Sequence, residues 1–298
     1  MTSERVPYDE FSYFHENAAE YGLPYDAPPV VRRVSVEVEP DRALSALVWG
    51  EGDPELVFLH GGAQNAHTWD TVALALGRPL VAIDLPGHGH SDGGRGGTLD
   101  TASNAADLAF VIGELAPRAR AVIGMSLGGI TALALTRHAP ELVERLVLVD
   151  ITPGVDETKS KAIVDFVNGP DSFPDFDELL ARTIEFNPTR SESSLRRGIL
   201  HNALQREDGS WVWRYQRFGG GTERPDMTEL WDALETASAQ LLLVRGMRPQ
   251  SVVSDEDEAE VRRRRPDARI VHVAEAGHSV QGDQPLELAE IIREFALT

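Results

Sequence analysis

Ser126 stands in the run Gly124-Met125-Ser126-Leu127-Gly128-Gly129. A free serine hydroxyl is barely nucleophilic at neutral pH, so acyl-transfer chemistry here requires a base to take its proton. His278, in Ala276-Gly277-His278-Ser279 near the end of the chain, is the candidate base. An imidazole that turns cationic during turnover needs a carboxylate behind it. Asp150 closes the apolar run Leu146 to Val149, and a carboxylate at a buried strand end must find a strong partner. Its other reading is a structural cap of the loop Ile151-Thr152-Pro153. Asp255 is the alternative acid with Asp257, yet both fit the first turn of a helix capped by Ser254.

These side chains act only if the backbone presents them. Ala119 to Ile123 reads as a short buried strand, and Ile130, Leu133, Ala134 and Arg137 follow a helical period up to His138. Strand, tight turn and helix make a nucleophile elbow, in which side chains at positions 124 and 128 would collide with the neighbouring strand and helix. The helix start also aims free N–H groups at charge developing beside the serine. Val30–Val38 and Ala43–Trp49 read as a hairpin. Leu56–Leu59, Leu80–Ile83, Leu146–Val149, Leu241–Val244 and Ile270–Val273 read as strands of a buried sheet. Helical patterns separate them, notably Ala102–Ala116 and Pro285–Phe295.

The rhythm breaks between Pro153 and about Glu235, where an insert carries Phe166, Phe173, Phe176, Phe186, Trp211, Trp213, Tyr215, Phe218 and Trp231. Trp211, Trp213 and Tyr215 alternate, which puts all three on one face of an extended stretch. Residues 1–29 form an extension with Phe11, Phe14, Ala18 and Tyr21 at helical spacing, expected to dock on the body or on a second subunit.

Composition bounds the remaining possibilities. With 298 residues, 42% hydrophobic and 26% charged, the chain is that of an ordinary globular protein. A formal charge of −20 argues against nucleic acid and anionic membranes as partners. The absence of cysteine removes any disulfide framework, thiolate nucleophile or Cys-ligated metal. No apolar leader opens the sequence, so a cytoplasmic location is the expectation.

His60-Gly61-Gly62-Ala63-Gln64 follows the strand at Leu59, and Asp84-Leu85-Pro86-Gly87-His88-Gly89-His90-Ser91-Asp92 follows the next. With the elbow and the late Gly277-His278, these landmarks make the chain from Val30 onward resemble a capped α/β-hydrolase. The resemblance implies a mostly parallel eight-stranded sheet with helices on both faces, formed by 30–152 and 236–298. It also implies a mostly helical cap, 153–235, inserted after strand 6. The oxyanion hole would use the N–H groups of Leu127 and of Gly62 or Ala63, with His60 bracing that loop. Most members carry the acid after the seventh strand, where this chain reads Arg245 to Val253 without a carboxylate; some place it at the position of Asp150.

The implied activity is cleavage of a carboxylic ester, lactone or related acyl compound through an acyl-enzyme, with no cofactor and no metal. Substrate contacts are expected from Met125, Trp211 and Trp213, favouring a medium-sized apolar acyl substrate. Alternatives on the same fold are a cofactor-free lyase, dioxygenase or perhydrolase, and a ligand receptor with incidental hydrolysis. The run His88-x-His90-x-Asp92 approaches a metal-hydrolase ligand pattern but ends in Gly93 where a histidine is needed. His15, His67 and His201 fall in no motif and are expected to be surface residues.

Overall fold

The computed structural model describes residues 6–95, 100–155, 157–188, 190–217 and 227–298. Phe218 of the insert lies outside them. Strands β1 (Val31–Glu39) and β2 (Arg42–Trp49) form the expected hairpin, and β2 pairs antiparallel with β4 (Leu80–Ile83). The remaining pairings are parallel: β4 with β3 (Leu56–Leu59), then β5 (Ala121–Met125), β6 (Arg145–Val149), β9 (Gln240–Gly246) and β10 (Arg269–Val273). The order is β1-β2-β4-β3-β5-β6-β9-β10, a mostly parallel eight-stranded sheet. Every residue of β3 and β4 is buried, the continuous apolar pattern of strands covered on both faces.

One face packs on α3 (Thr101–Leu115) and α4 (Leu127–His138) through residues such as Leu108, Val111, Leu133 and Leu135. The other packs on α2 (Asp70–Leu76) and α11 (Pro285–Ala296) through Val72, Leu288 and Ile292. Among the described residues no helix is long and apolar enough to cross a membrane.

Between β6 and β9 the chain forms α5 (Glu157–Val167), α6 (Phe176–Phe186), α7 (Glu192–Asn202), the small hairpin β7 (Ala203–Gln205) with β8 (Trp211–Trp213), and α8 (Met227–Thr236). Phe173, Leu179, Ile199, Leu200 and Trp211 make a separate small core within this insert. The N-terminal extension forms α1 (Phe14–Tyr21), whose Phe14 packs 4.8 Å from the Trp49 ring. Its flanks tie insert to sheet: Tyr8 and Glu20 bond His201 and Arg197 of α7, while Glu10 bonds Arg33 of β1.

Candidate active site

Strands β5 and β6 run side by side with Met125 opposite Val149, so Ser126 and Asp150 emerge from neighbouring strand ends. Both bend sharply there, at φ 50° and 47°, a left-handed conformation costing on the order of 1–3 kcal/mol at a non-glycine residue. Close packing enforces the Ser126 turn. A Cβ at Gly124 would lie 2.5 Å from the Gly128 carbonyl oxygen, and one at Gly128 would lie 2.4 Å from that of Leu59. The helix α4 therefore starts directly against β3 and β5, with Ser126 at its tip.

Asp150 is fully buried and accepts four hydrogen bonds. The Gly246 N–H (2.9 Å) and Ser251 Oγ (2.6 Å) donate to Oδ1, and the Val252 N–H (3.0 Å) donates to Oδ2. Oδ2 also receives His278 Nδ1 at 3.0 Å. A carboxylate can only accept, so Nδ1 carries the proton and Nε2 keeps its lone pair. The last residue of β9 supplies one of these donors, and the loop after it, which holds no carboxylate of its own, supplies two. Asp255 lies elsewhere: its side chain is 88% exposed and pairs with Arg245 at 2.8 Å. Asp257 forms the capping box of α9 (Asp255–Arg264) and binds Lys159 at 2.7 Å.

His60 is buried, with Nδ1 bonded to the Gly61 carbonyl (2.7 Å) and Nε2 accepting the Leu85 N–H (2.9 Å). Burial lowers its pKa, so this neutral ring joins the loop after β3 to the loop after β4. The N–H groups of Gly62 and Leu127 find no acceptor among the described residues.

Gly62, Met125, Ser126, Trp213 and His278 all line one cavity of about 610 Å³. Trp211 does not. It is buried in the insert's own core, edge-on to Phe176 at 5.2 Å and paired through its backbone with Phe173. Alternation set a common face for the three rings, but Phe173 and Phe176 cover the Trp211 end of it. Trp213 instead stacks on Tyr215 and meets Phe166 at 5.6 Å. The apolar wall of the cavity comes from Ile163, Phe166, Phe186, Leu195 and Trp213.

The rest of the lining includes a polar wall, and it overturns the surface reading of two histidines. His67 and His201 are buried and stack at 3.8 Å with their planes 13° apart. His67 Nδ1 bonds Asp70 at 2.9 Å and Nε2 bonds Glu10 at 3.2 Å. Burial opposes the charged ring, but the Asp70 charge and the bonds to Asp70 and Glu10 outweigh it and hold the His67 pKa at about 9. Burial and the neighbouring His67 charge push His201 well below its usual range, so it is a neutral ring bonded to Tyr8. The His67-x-x-Asp70 spacing was readable; its partners Glu10 and His201 come from distant segments.

His67, Asp70 and His201 are the one group of potential metal ligands among the described residues, their donor atoms within 4.8 Å of one another. Both nitrogens of His67 are already engaged, Nδ1 by Asp70 and Nε2 by Glu10, so this ring keeps no lone pair for an ion as it stands. His88, His90 and Asp92 form no such group. Burial lowers His88 to a pKa of about 3, and Asp92 accepts the Ala43 N–H.

A model of the alpha/beta hydrolase family matches residues 56–291. Esterase Rv0045c of Mycobacterium tuberculosis is 45% identical over 96% of this chain and 95% of its own. Its refined structure has a TM-score of 0.88 at 42% identity, covering 98% of this chain and all of that one. The sn-1-specific diacylglycerol lipase ABHD11 of Danio rerio is 29% identical over 83% of this chain and 80% of its own. The structure of E-2-(acetamidomethylene)succinate hydrolase has a TM-score of 0.79 at 25% identity, covering 91% of this chain and all of the other.

Proposed function

This chain belongs to the α/β hydrolase family, and from that premise we propose that it cleaves small-molecule carboxylic esters through an acyl-enzyme on Ser126. The observation that carries the reading is the 3.0 Å bond from His278 Nδ1 to the buried Asp150, on a cavity that also holds Ser126. Ester cleavage is the activity named for Rv0045c and for the zebrafish lipase.

In this reading His278 Nε2 takes the Ser126 proton as Oγ attacks the ester carbonyl, and Asp150 stabilises the imidazolium that forms. The N–H groups of Leu127 and Gly62 receive the developing oxyanion; each such donor is worth roughly 3–4 kcal/mol of barrier in comparable sites. His278 then protonates the leaving alcohol. Water, activated by the same ring, releases the acid. The segment 153–235 acts as a cap, its apolar wall of Phe166, Phe186 and Trp213 receiving the acyl chain. Labelling with a fluorophosphonate, followed by turnover of p-nitrophenyl butyrate, tests this directly. Absence of both labelling and turnover in folded protein rules out the assignment.

A further inference from the structure

Among the described residues two arginines line the cavity that holds Ser126, and they are held in opposite ways. Arg197 is matched: it pairs with Glu20 and, at 3.5 Å, with Glu16 of α1. Arg190, in the connection between α6 and α7, makes one hydrogen bond, from Nη2 to Ser194 Oγ at 2.5 Å, and no ion pair among the described residues. The acids around it are already engaged. Glu20 holds Arg197 and Ser191, and Asp283 Oδ2 accepts the Gly277 N–H at 2.8 Å. Burial lowers the Arg190 pKa, and the neighbouring acids do not make up the difference, yet a guanidinium stays charged near neutral pH. It also stands beside the first turn of α7, the end of a helix where a cation is disfavoured. Nε is closed off, but Nη1, likewise without an acceptor among the described residues, is not. The half-buried side chain therefore still offers a free N–H edge to the cavity.

The guanidinium also lies close to the reacting groups. A Cβ at Gly282 would stand 2.9 Å from Cζ and 3.1 Å from Nη1 of Arg190, so the group rests on the short helix α10 (Val280–Asp283) that follows His278. Gln281, the preceding residue of α10, reaches Gln64 Oε1 through Nε2 at 3.4 Å. Gln64 Oε1 and Ser126 Cβ are each 3.3 Å from the position a Cβ would take at Gly61. Adjacent residues of α10 thus touch Arg190 and the surroundings of the serine. We propose that Arg190 is a specificity-determining residue that receives a carboxylate carried by the ester, so that the preferred substrates are anionic monoesters. This rests on the esterase reading above. A carboxylate is the counter-ion the site lacks, and a guanidinium binds it through parallel N–H bonds. A phosphate monoester, nearly doubly charged, would meet Glu20 and Asp283 around a single unmatched cation. The rings of Phe166, Phe186 and Trp213 remain for the methylene chain.

Two pairs of esters test this and tell the two ends of the substrate apart. Monomethyl hexanedioate against methyl hexanoate places the carboxylate on the acyl chain, and 4-(butanoyloxy)butanoate against butyl butanoate places it on the alcohol. In each pair a carboxylate replaces a methyl group. Arg190→Met should lower the anionic-to-neutral ratio of kcat/KM by about 10- to 150-fold in the pair whose carboxylate reaches the guanidinium, and Arg190→Lys should restore part of it. The ratio cancels losses common to both esters, which is all that a purely structural role would produce. Should Arg190→Met not fold, Arg190→Gln takes its place in the same comparison. Binding of both anionic esters to the Ser126→Ala protein gives a readout without turnover; adding Arg190→Met should raise the Kd of one of them by a similar factor. Ratios and Kd values unmoved in both pairs overturn the proposal. A parent protein that cleaves none of the four esters refutes the esterase reading, while the two Kd values still decide whether Arg190 holds a carboxylate.

Discussion

Asp150→Asn is the sharpest perturbation of the proposed catalytic machinery. The carboxylate takes two donors on each oxygen, whereas an amide offers one accepting oxygen and an NH2 group that can only donate. If the oxygen stays with Gly246 and Ser251, the Val252 N–H loses its acceptor and His278 must accept at Nδ1. Protonation then moves to Nε2, and the base is lost. The opposite rotamer keeps His278 but strands the Gly246 N–H. Either way one buried N–H goes unpaired, a cost of about 1–3 kcal/mol of stability. The tautomer change is larger, a loss in kcat of about 10⁴, or roughly 5 kcal/mol of barrier. Steady-state turnover of p-nitrophenyl butyrate and a thermal melt read the two effects separately. A variant that keeps kcat within tenfold of the parent refutes the reasoning, most directly if Asp255→Asn, at an exposed ion pair, is the more damaging change.

Other expectations follow from the same structure. Ser126→Gly should abolish turnover yet raise the melting temperature, because glycine adopts φ 50° without the strain of about 1 kcal/mol or more that serine carries there; a lower melting temperature would contradict this. Trp211→Ala should cost about 3–5 kcal/mol of stability in the insert's core, while Trp213→Ala should chiefly alter the preference between short and long acyl chains. Equal effects of the two on that preference would refute the division. His67 has a folded pKa of about 9 against an ordinary 6.5. Its contribution, up to about 3 kcal/mol, is fully present below pH 6.5 and is lost as pH rises through 9. Glu10 is lowered from 4.5 to about 2, as its bonds to His67 and Arg33 outweigh burial, so its contribution is present above pH 4.5 and fades as pH falls towards 2. Melts of His67→Gln should lack the alkaline decline of the parent; a parallel decline would dissociate it from this ring.

Local spacing made much of the site legible. The elbow, the late Gly277-His278 and the strand end at Asp150 each announce themselves within a few residues, because strand, turn and helix periods are short-range. The polar wall was not legible in that way. Asn17 comes from the extension, Asp70 from α2 and Gln281 from α10, and no periodicity links segments that meet only in the folded state. Trp211 shows a different limit. Period-two alternation gives the face of a strand, but which core that face meets depends on Phe173 and Phe176 arriving from another part of the insert.

The placement of Asp150 at a strand end has a consequence for how the protein would fail under heat. The Asp150 N–H bonds the Val244 carbonyl at 2.7 Å, so both Asp150 and Ser126 are anchored to the ladder formed by β5, β6 and β9. Amide hydrogens of such central strands exchange with solvent mainly through global unfolding, whereas connecting loops open at far lower free energy. His278 rides on a loop between β10 and α10, outside that ladder. Warming should therefore detach the imidazole first, leaving serine and aspartate still in register. Deuterium uptake at residues 275–280 would then rise, and esterase activity fall, at temperatures where the far-ultraviolet signal of the sheet has not yet changed.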